Sequence, residues 1–312
     1  MKKCAVIFPG FGFHNMKFLK LYFKKYNLVQ KTFEEASCIL NYNIYESFLK
    51  NKKNSIYYYN NLYLLIFTSS IAIYKLLIQE SDFTPKIMAG HSLGQYSALV
   101  CNKNILFTDA LKIIKIRHDI MLMAVKDTRI LNLIIIGLNY RIIDKFCKFV
   151  SNKKKVFISI INSNTQVVIT GHYSLVYTTG QIFKKQMSAR VIKLPMLISP
   201  HCPLIKHYKK KFSYYLKKIK IVPGKSLIIS NHNANIISSP KKIYSSLLKQ
   251  LYTTVQWHNS IKKIMSSGID IIIESGPGEI LTNLNPKNKK ILFYSTCHKK
   301  SLSLTRETIK KL

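Results

Sequence analysis

The sequence predicts an α/β fold in which a small βαββαβ unit interrupts a larger set of alternating strands and helices. Three observations predict it: a glycine-flanked strand-to-helix turn around residues 87–100, alternating β-rich and helical runs across residues 130–194, and short strands and helices resuming after Pro203. A length of 312 residues leaves room for about two domains of roughly 150 residues each. A hydrophobic fraction of 47% fits a globular chain with a sizeable core.

Cys4 to Phe8 is a short β-rich run, and Pro9-Gly10-Phe11-Gly12 turns the chain after it. Residues 17–80 read as helices, broken near Asn27, Asn41 to Asn43 and Lys50 to Asn54. The most apolar stretch, Leu62 to Tyr74, is stopped by Lys75 and falls short of the roughly 20 residues that span a bilayer, so a buried helix is expected there. A strand at 87–90 leads through the turn into a helix, and Thr108 or Asp109 is placed to cap a further helix that runs to about Val125.

The middle of the chain changes character. Ile130 to Leu138 is a β-branched run, Arg141 to Ser151 helical, Val156 to Ile161 and Gln166 to Thr170 strands, Tyr173 to Lys185 helical, and Ala189 to Leu194 a strand. That order is the order of a ferredoxin-like unit. Pro195 and Pro200 then punctuate a loop that carries His201, and strands at Ser226 to Ile229 and Ile269 to Ile273 return to the first pattern. The expected division is a large domain in two segments, 1–127 and 198–312, around an insert at 128–197.

Composition narrows the function classes. Forty-nine basic residues against thirteen acidic ones give a net charge of +36, which in isolation suggests a polyanionic partner. The lysines, however, are spread in ones, twos and threes along the whole length with no basic arm, only five of the 49 are Arg, and Asn, Ile and Tyr are abundant. That pattern fits AT-rich coding better than selection for nucleic acid, and no nucleic-acid partner is expected. The six cysteines are scattered with no CxxC pair, as reduced thiols of a cytoplasmic protein would be. Met1-Lys2-Lys3 before an apolar run imitates a signal peptide, but Pro9, Gly10 and Gly12 cut the run short. Neither HExxH nor paired Cys/His spacing occurs, so no metal site is expected.

Gly90-His91-Ser92-Leu93-Gly94 is a GxSxG elbow. A strand that turns sharply into a helix needs glycines beside the serine, and its hydroxyl then projects alone above the sheet edge. The N–H of Leu93 lies at the start of the following helix, where unpaired donors and the helix dipole favour a developing oxyanion. The turn at Phe11 offers a second donor of that kind or is an ordinary β-turn. It lacks the third glycine and the later acidic residue of a dinucleotide fingerprint.

Ser92 needs a base, and nine histidines compete for the role. His201 sits on the Pro-bounded segment Ser199-Pro200-His201-Cys202-Pro203, where a ring can be aimed into a cleft, whereas His91 points away from its neighbour and packs under the elbow. Arg117 is either a solvated helix residue or, in a chain so biased to Lys, a deliberate bidentate site for a carboxylate.

Taken together these residues resemble a known family. Phe8-Pro9-Gly10-x-Gly12, Gly90 to Gly94 with Tyr96 to Leu99, Arg117 with Met121, Asn162-Ser163, Gln166 to Gly171, His201, Asn231, Gln250 to Trp257, and Glu274-x-Gly276-Pro277-Gly278 follow the order and spacing of the malonyl-CoA:acyl carrier protein transacylases of bacterial type II fatty acid synthesis, from about residue 6 to 284. The resemblance implies an α/β-hydrolase-like large domain with an inserted ferredoxin-like small domain. It implies Ser92 as nucleophile, His201 as general base and then acid, the N–H groups of Phe11 and Leu93 as oxyanion hole, and Arg117 as clamp for the malonyl carboxylate. Gln250 would support the site and orient His201, with Asn162 and Asn231 as supporting polar groups. It further implies malonyl-CoA and acyl carrier protein as partners, no bound cofactor beyond the coenzyme A thioester substrate, no membrane insertion and a monomer. The alternatives are an acyl thioester hydrolase on the same fold and a non-catalytic relative that binds carrier protein.

The sequence departs from that family at a few places. Phe11 stands where the family carries Gln, Gln95 replaces a usual Glu, Ile160 and Asn164 replace Asn and Pro, and a loop at Thr128 to Asn132 replaces a Gly- and Met-rich stretch.

Overall fold

The computed structural model describes residues 2–11, 16–50, 56–79, 81–150, 155–194, 201–285 and 290–310. The first half runs β1 (Cys4–Phe8), α1 (Met16–Lys25), α2 (Asn27–Leu40), α3 (Ile44–Lys50), α4 (Ile56–Ile78), β2 (Ile87–Gly90), α5 (Gly94–Cys101) and α6 (Phe107–Thr128). Next come β3 (Ile130–Ile136), α7 (Tyr140–Val150), β4 (Val156–Ser163), β5 (Gln166–His172), α8 (Tyr173–Gln186) and β6 (Arg190–Lys193). A 3-10 turn (Pro203–Tyr208) opens the last part, followed by α9 (Lys209–Leu216), β7 (Leu227–Ile229), β8 (Ile236–Ile237), α10 (Pro240–Gln250) and α11 (Trp257–Ser266). The chain closes with β9 (Ile271–Glu274), α12 (Ile280–Leu284), β10 (Leu292–Ser295) and α13 (Lys299–Lys310).

The architecture is mixed α/β with two sheets. The larger has the order β10-β9-β1-β2-β7-β8 and is parallel except for the β7/β8 pair. Its central strand shows why the sequence places it there. Every residue of Cys-Ala-Val-Ile-Phe is buried, as a parallel strand covered on both faces requires. Cys4, Val6 and Phe8 face the core that also holds Phe33, Phe67, Leu99 and Met121, while Ala5 and Ile7 face the opposite core around Trp257 and Ile261. Strand β2 pairs with β1 in the register Ala5↔Ile87 to Phe8↔Gly90, so both strands end at the same sheet edge.

The second sheet has the order β4-β5-β3-β6, all antiparallel. One face packs Leu131, Leu133 and Ile135 against Ile143 and Cys147 of α7 and Phe183 of α8. Ile160 and Val168 point the other way, into the core that holds Trp257. Strand β4 also reaches the larger part through its backbone, with Ile161 N–H to Val255 O at 2.9 Å and Val255 N–H to Ser159 O at 2.8 Å. The small sheet is thereby fixed against the segment that follows α10.

Several expectations need correction. The buried helix expected around Leu62 to Tyr74 is α4, but its window Asn61–Ile78 does not fall short of a membrane span: it is long and apolar enough to cross one by length and composition, with 83% of the window buried inside the protein. Helix α6 starts one residue before Thr108; Leu106 occupies the N-cap position without a side-chain cap, and Asp109 lies in the first turn. Residues 128–132 form no loop: Thr128 ends α6, Arg129 turns the chain in a left-handed conformation at φ 46°, and Ile130 begins β3. Strands β8 and β10 are additional to the strands that the sequence pattern shows. Gly12, Asn51 to Asn54, and Pro195 to Pro200 lie outside the described residues.

Candidate active site

The elbow is built from the main chain outward. His91 N–H bonds to Phe8 O at 2.9 Å, continuing the β1/β2 pairing past Gly90, and Ser92 then adopts φ 51°. A left-handed non-glycine residue costs about 1–2 kcal/mol, so the surroundings must hold it. Asn231 and Gln250 do so. Ser92 N–H donates to Asn231 Oδ1 at 2.7 Å, Gln250 Nε2 donates to Ser92 O at 2.9 Å, and Asn231 Nδ2 donates to Gly90 O at 2.6 Å.

Glycine is required at both ends of the turn. A methyl on Gly90 would overlap the Gly94 carbonyl, and one on Gly94 would overlap the carbonyl oxygen of Phe8. Gly94→Ala is therefore expected to destabilise the fold by on the order of 3 kcal/mol or more. Gly268→Ala is the control, since Gly268 has φ 69° with open space around it and should cost only about 1 kcal/mol. Chemical denaturation of the two variants checks this; equal midpoints would refute the steric account.

His201 is fully buried, at φ 36°, with Nε2 2.6 Å from Ser92 Oγ and Nδ1 2.7 Å from the main-chain oxygen of Gln250. A carbonyl oxygen only accepts, which assigns the proton to Nδ1 and leaves the Nε2 lone pair for the serine hydroxyl. Burial, with Arg117 adding to it and His91 less, holds the imidazole well below its ordinary pKa, against the opposing bond to Gln250. The ring is neutral at pH 7 and able to accept a proton. Gln250 contacts His201 through its backbone oxygen, while its side chain grips the elbow.

Arg117 comes from α6 and is buried beside the pair. Its Nη2 donates to Ser92 Oγ at 3.1 Å and lies 3.4 Å from His201 Nε2, and its Nε has no hydrogen-bond partner. Among the described residues no carboxylate lies within ion-pair distance of it. The guanidinium sits 5.7 Å from the Tyr96 ring centroid, and burial lowers its pKa while Tyr96 opposes that shift. An enclosed cation without a counter-charge is an incomplete site, because desolvating it costs several kcal/mol that only an arriving anion offsets.

The remaining residues frame this centre. His91 does not serve Ser92: its Nε2 is 2.9 Å from Asn162 Oδ1 on β4 and its ring meets Trp257 edge-on. Asn162 thus ties the small sheet to the elbow. Leu93 is the N-cap of α5, so its N–H is among the donors a helix leaves unpaired at its start. Phe11 follows the end of β1, half-buried against the larger core. Gln95 joins the group without any role having been expected for it; full burial of a polar residue one position into a short helix is the signal that marks it. Elsewhere, Glu279, Cys297 and His298 place ligand-type atoms within 4.8 Å of one another, a grouping that sequence spacing did not suggest.

A serine on a strained elbow, bonded to an imidazole whose far nitrogen is fixed, is the arrangement of an enzyme that works through a serine nucleophile. The acyl transferase domain family matches residues 44–288. The malonyl CoA-acyl carrier protein transacylase of Buchnera aphidicola subsp. Schizaphis graminum (strain Sg) is 38% identical over 310 residues, covering 99% of this chain and 100% of the relative. That of Escherichia coli (strain K12) is 32% identical over 287 residues, covering 92% and 93%. Among solved structures, FabD from Acinetobacter baumannii superposes with a TM-score of 0.91 at 30% identity over 99% of both chains. A malonyl-transacylase solved in complex with its type II PKS acyl-carrier protein superposes with a TM-score of 0.92 at 29% identity, covering 98% of this chain and 99% of that one. The chain belongs to the malonyl CoA-acyl carrier protein transacylase branch of the acyl transferase domain family.

Proposed function

We propose that this chain transfers a malonyl group from coenzyme A to the phosphopantetheine thiol of acyl carrier protein through a seryl ester on Ser92. The observation that carries the reading is the Ser92 hydroxyl held between the accepting Nε2 of His201 and a buried Arg117 that has no carboxylate partner among the described residues. Ser92 Oγ attacks the thioester carbonyl as His201 Nε2 takes its proton. The backbone N–H groups of Phe11 and Leu93 hold the tetrahedral oxyanion. The C–S bond breaks, and the imidazolium returns the proton to the departing coenzyme A sulfur. In the second half the carrier thiol gives its proton to His201 and attacks the ester carbonyl, and as the C–O bond to Ser92 breaks the imidazolium returns that proton to Ser92 Oγ.

Arg117 leaves the hydroxyl and pairs with the malonyl carboxylate, which orients the acyl group and selects it over acetyl. The imidazolium needs no acidic third member, since the Gln250 carbonyl fixes the ring and the positive charge is transient. Asn231 and Gln250 hold the elbow, and Asn162 holds His91.

The same reading extends to the fold and setting. The large part is an α/β-hydrolase-like domain formed by 1–127 and 198–312, and 128–197 is a ferredoxin-like insert; the two separate sheets and the β4-β5-β3-β6 order support this. The enzyme works as a cytoplasmic monomer and binds no cofactor, coenzyme A entering only as the substrate thioester. Excess positive charge favours an acidic carrier protein and the coenzyme phosphates.

Intact-mass measurement after incubation with malonyl-CoA tests the proposal. One malonyl adduct on the chain, discharged onto added holo-acyl carrier protein, is the expected result. Free malonate with an unlabelled carrier would make the chain a hydrolase, and the absence of any adduct would make it a non-catalytic relative.

The pH profile follows from the geometry. Catalysis requires neutral His201, whose pKa in the free enzyme is held down by burial and by Arg117, so activity is lost only as pH falls through that lowered value. The acid limb of kcat/KM should therefore lie below the ordinary imidazole range. Once a malonyl carboxylate neutralises Arg117, part of that depression disappears and the imidazolium becomes easier to form. The acid limb of kcat should lie at higher pH than that of kcat/KM. Stopped-flow acylation across pH 4–8 reads both (~4 units around the ordinary histidine value), and coincident limbs would refute the coupling.

A further inference from the structure

Behind the elbow lies a buried hydrogen-bond network of which the catalytic reading uses only Asn231 and Gln250. Gln95, Ser230, Asn231, Ser246 and Gln250 are all essentially inaccessible to solvent. Gln95 Nε2 donates to Ser246 Oγ at 2.8 Å, Ser246 Oγ lies 2.7 Å from Ser230 Oγ, and Ser230 Oγ lies 2.7 Å from His232 Nδ1. On its other side Gln95 Oε1 accepts from Gln250 Nε2 at 2.9 Å and from the Asn231 backbone N–H at 3.3 Å. Among the described residues, none of the bonds within this network involves a carboxylate, lysine or arginine side chain.

Gln250 and Asn231 are the two residues that grip the Ser92 peptide, one at its carbonyl and one at its N–H. Gln250 also holds His201 through its own backbone oxygen. Its Nε2 faces three acceptors, Ser92 O, Gln95 Oε1 and Asn231 Oδ1, with only two hydrogens to share, so its orientation depends on all three staying in place. Gln95 is the residue that bonds to both grips at once and is itself pinned by Ser246.

From this juxtaposition the geometry points to Gln95 as a positioning residue for acyl transfer: its side-chain oxygen fixes the Gln250 amide and the Asn231 backbone, and through them the alignment of Ser92 with His201. The inference rests on the proposed reading of Ser92 as nucleophile. Gln95 touches neither reacting atom, and Arg117 lies in a different set of contacts. Its removal should therefore slow the chemical step and leave substrate binding alone, because small displacements of a nucleophile from its base are expensive in rate.

Single-turnover acylation by malonyl-CoA, followed by intact mass, tests this. The wild-type chain must first acquire the adduct on Ser92; failure there overturns the nucleophile reading and is distinct from any result with Gln95. Gln95→Leu removes the acceptor and is expected to slow acylation by about tenfold to a hundredfold while KM for malonyl-CoA stays within about twofold. Gln95→Asn keeps an amide but withdraws it by one methylene, and gives the same outcome where the leucine variant does not fold. Gln95→Glu restores an acceptor to Gln250 and Asn231 and should return the rate to within about threefold of wild type. Wild-type acylation in the leucine or asparagine variant, or a glutamate variant as slow as they are, would overturn the inference.

Discussion

Ser92→Ala is expected to eliminate the malonyl adduct and to reduce transfer to carrier protein by on the order of 10⁴-fold or more, since no other described group occupies the position between His201 Nε2 and Arg117 Nη2. The argument is geometric. Ser92 Oγ stands 2.6 Å from the only nitrogen of His201 that is free to accept a proton, because Nδ1 is committed to the Gln250 carbonyl. His201 alone retains its base but has nothing to deprotonate. The fold should persist, since the elbow is held by bonds to the Ser92 backbone and to Gly90, which alanine keeps. Intact mass and circular dichroism read the two halves of the prediction. An adduct that survives in the folded alanine variant would place the nucleophile elsewhere and end the mechanism.

The second large effect is a switch of acyl preference. Arg117→Ala should lower kcat/KM for malonyl-CoA by about 10²- to 10⁴-fold, the scale of losing one partner of a buried ion pair, on the order of 3–5 kcal/mol. Acetyl-CoA should be used as well as by wild type or better. In the intact protein an acetyl group would bring a methyl to a guanidinium that has no carboxylate partner among the described residues, leaving its desolvation uncompensated. Removing the cation abolishes that penalty. It also removes one of the two main causes that depress His201, so the acid limb of the variant should move to higher pH. Loss of activity in equal measure with both substrates would show that Arg117 supports the site in general and does not read the carboxylate.

Much of the framework was legible because its signals are local. The unbroken apolar run of β1, the glycines around Ser92 and the βαββαβ order each depend on residues adjacent in the chain, and each stands where the pattern placed it. The misses have physical reasons too. Strand β8 is two residues long and β10 is partly exposed, so neither shows a clean pattern; both exist by pairing with β7 and β9. Helix α6 begins without a side-chain cap, which leaves nothing at Leu106 to read. Lys75 does not stop the helix, because its ammonium is accommodated at the edge, 5.6 Å from the Phe107 ring centroid and 3.5 Å from Glu35.

The candidate site divides along the same line. That Ser92 sits on a taut bend follows from sequence alone, because only glycine fits where its neighbours' β-carbons would strike backbone. Which histidine meets it, whether Arg117 is solvated or enclosed, and that a main-chain oxygen of Gln250 steadies the imidazole were decided by packing. Residues 92, 117, 201, 231 and 250 arrive from separate elements, and a carbonyl that every residue possesses leaves no trace in a sequence. Local sterics are written in consecutive residues, whereas burial and the loss of water that gives these contacts their strength exist only once distant segments have closed around them.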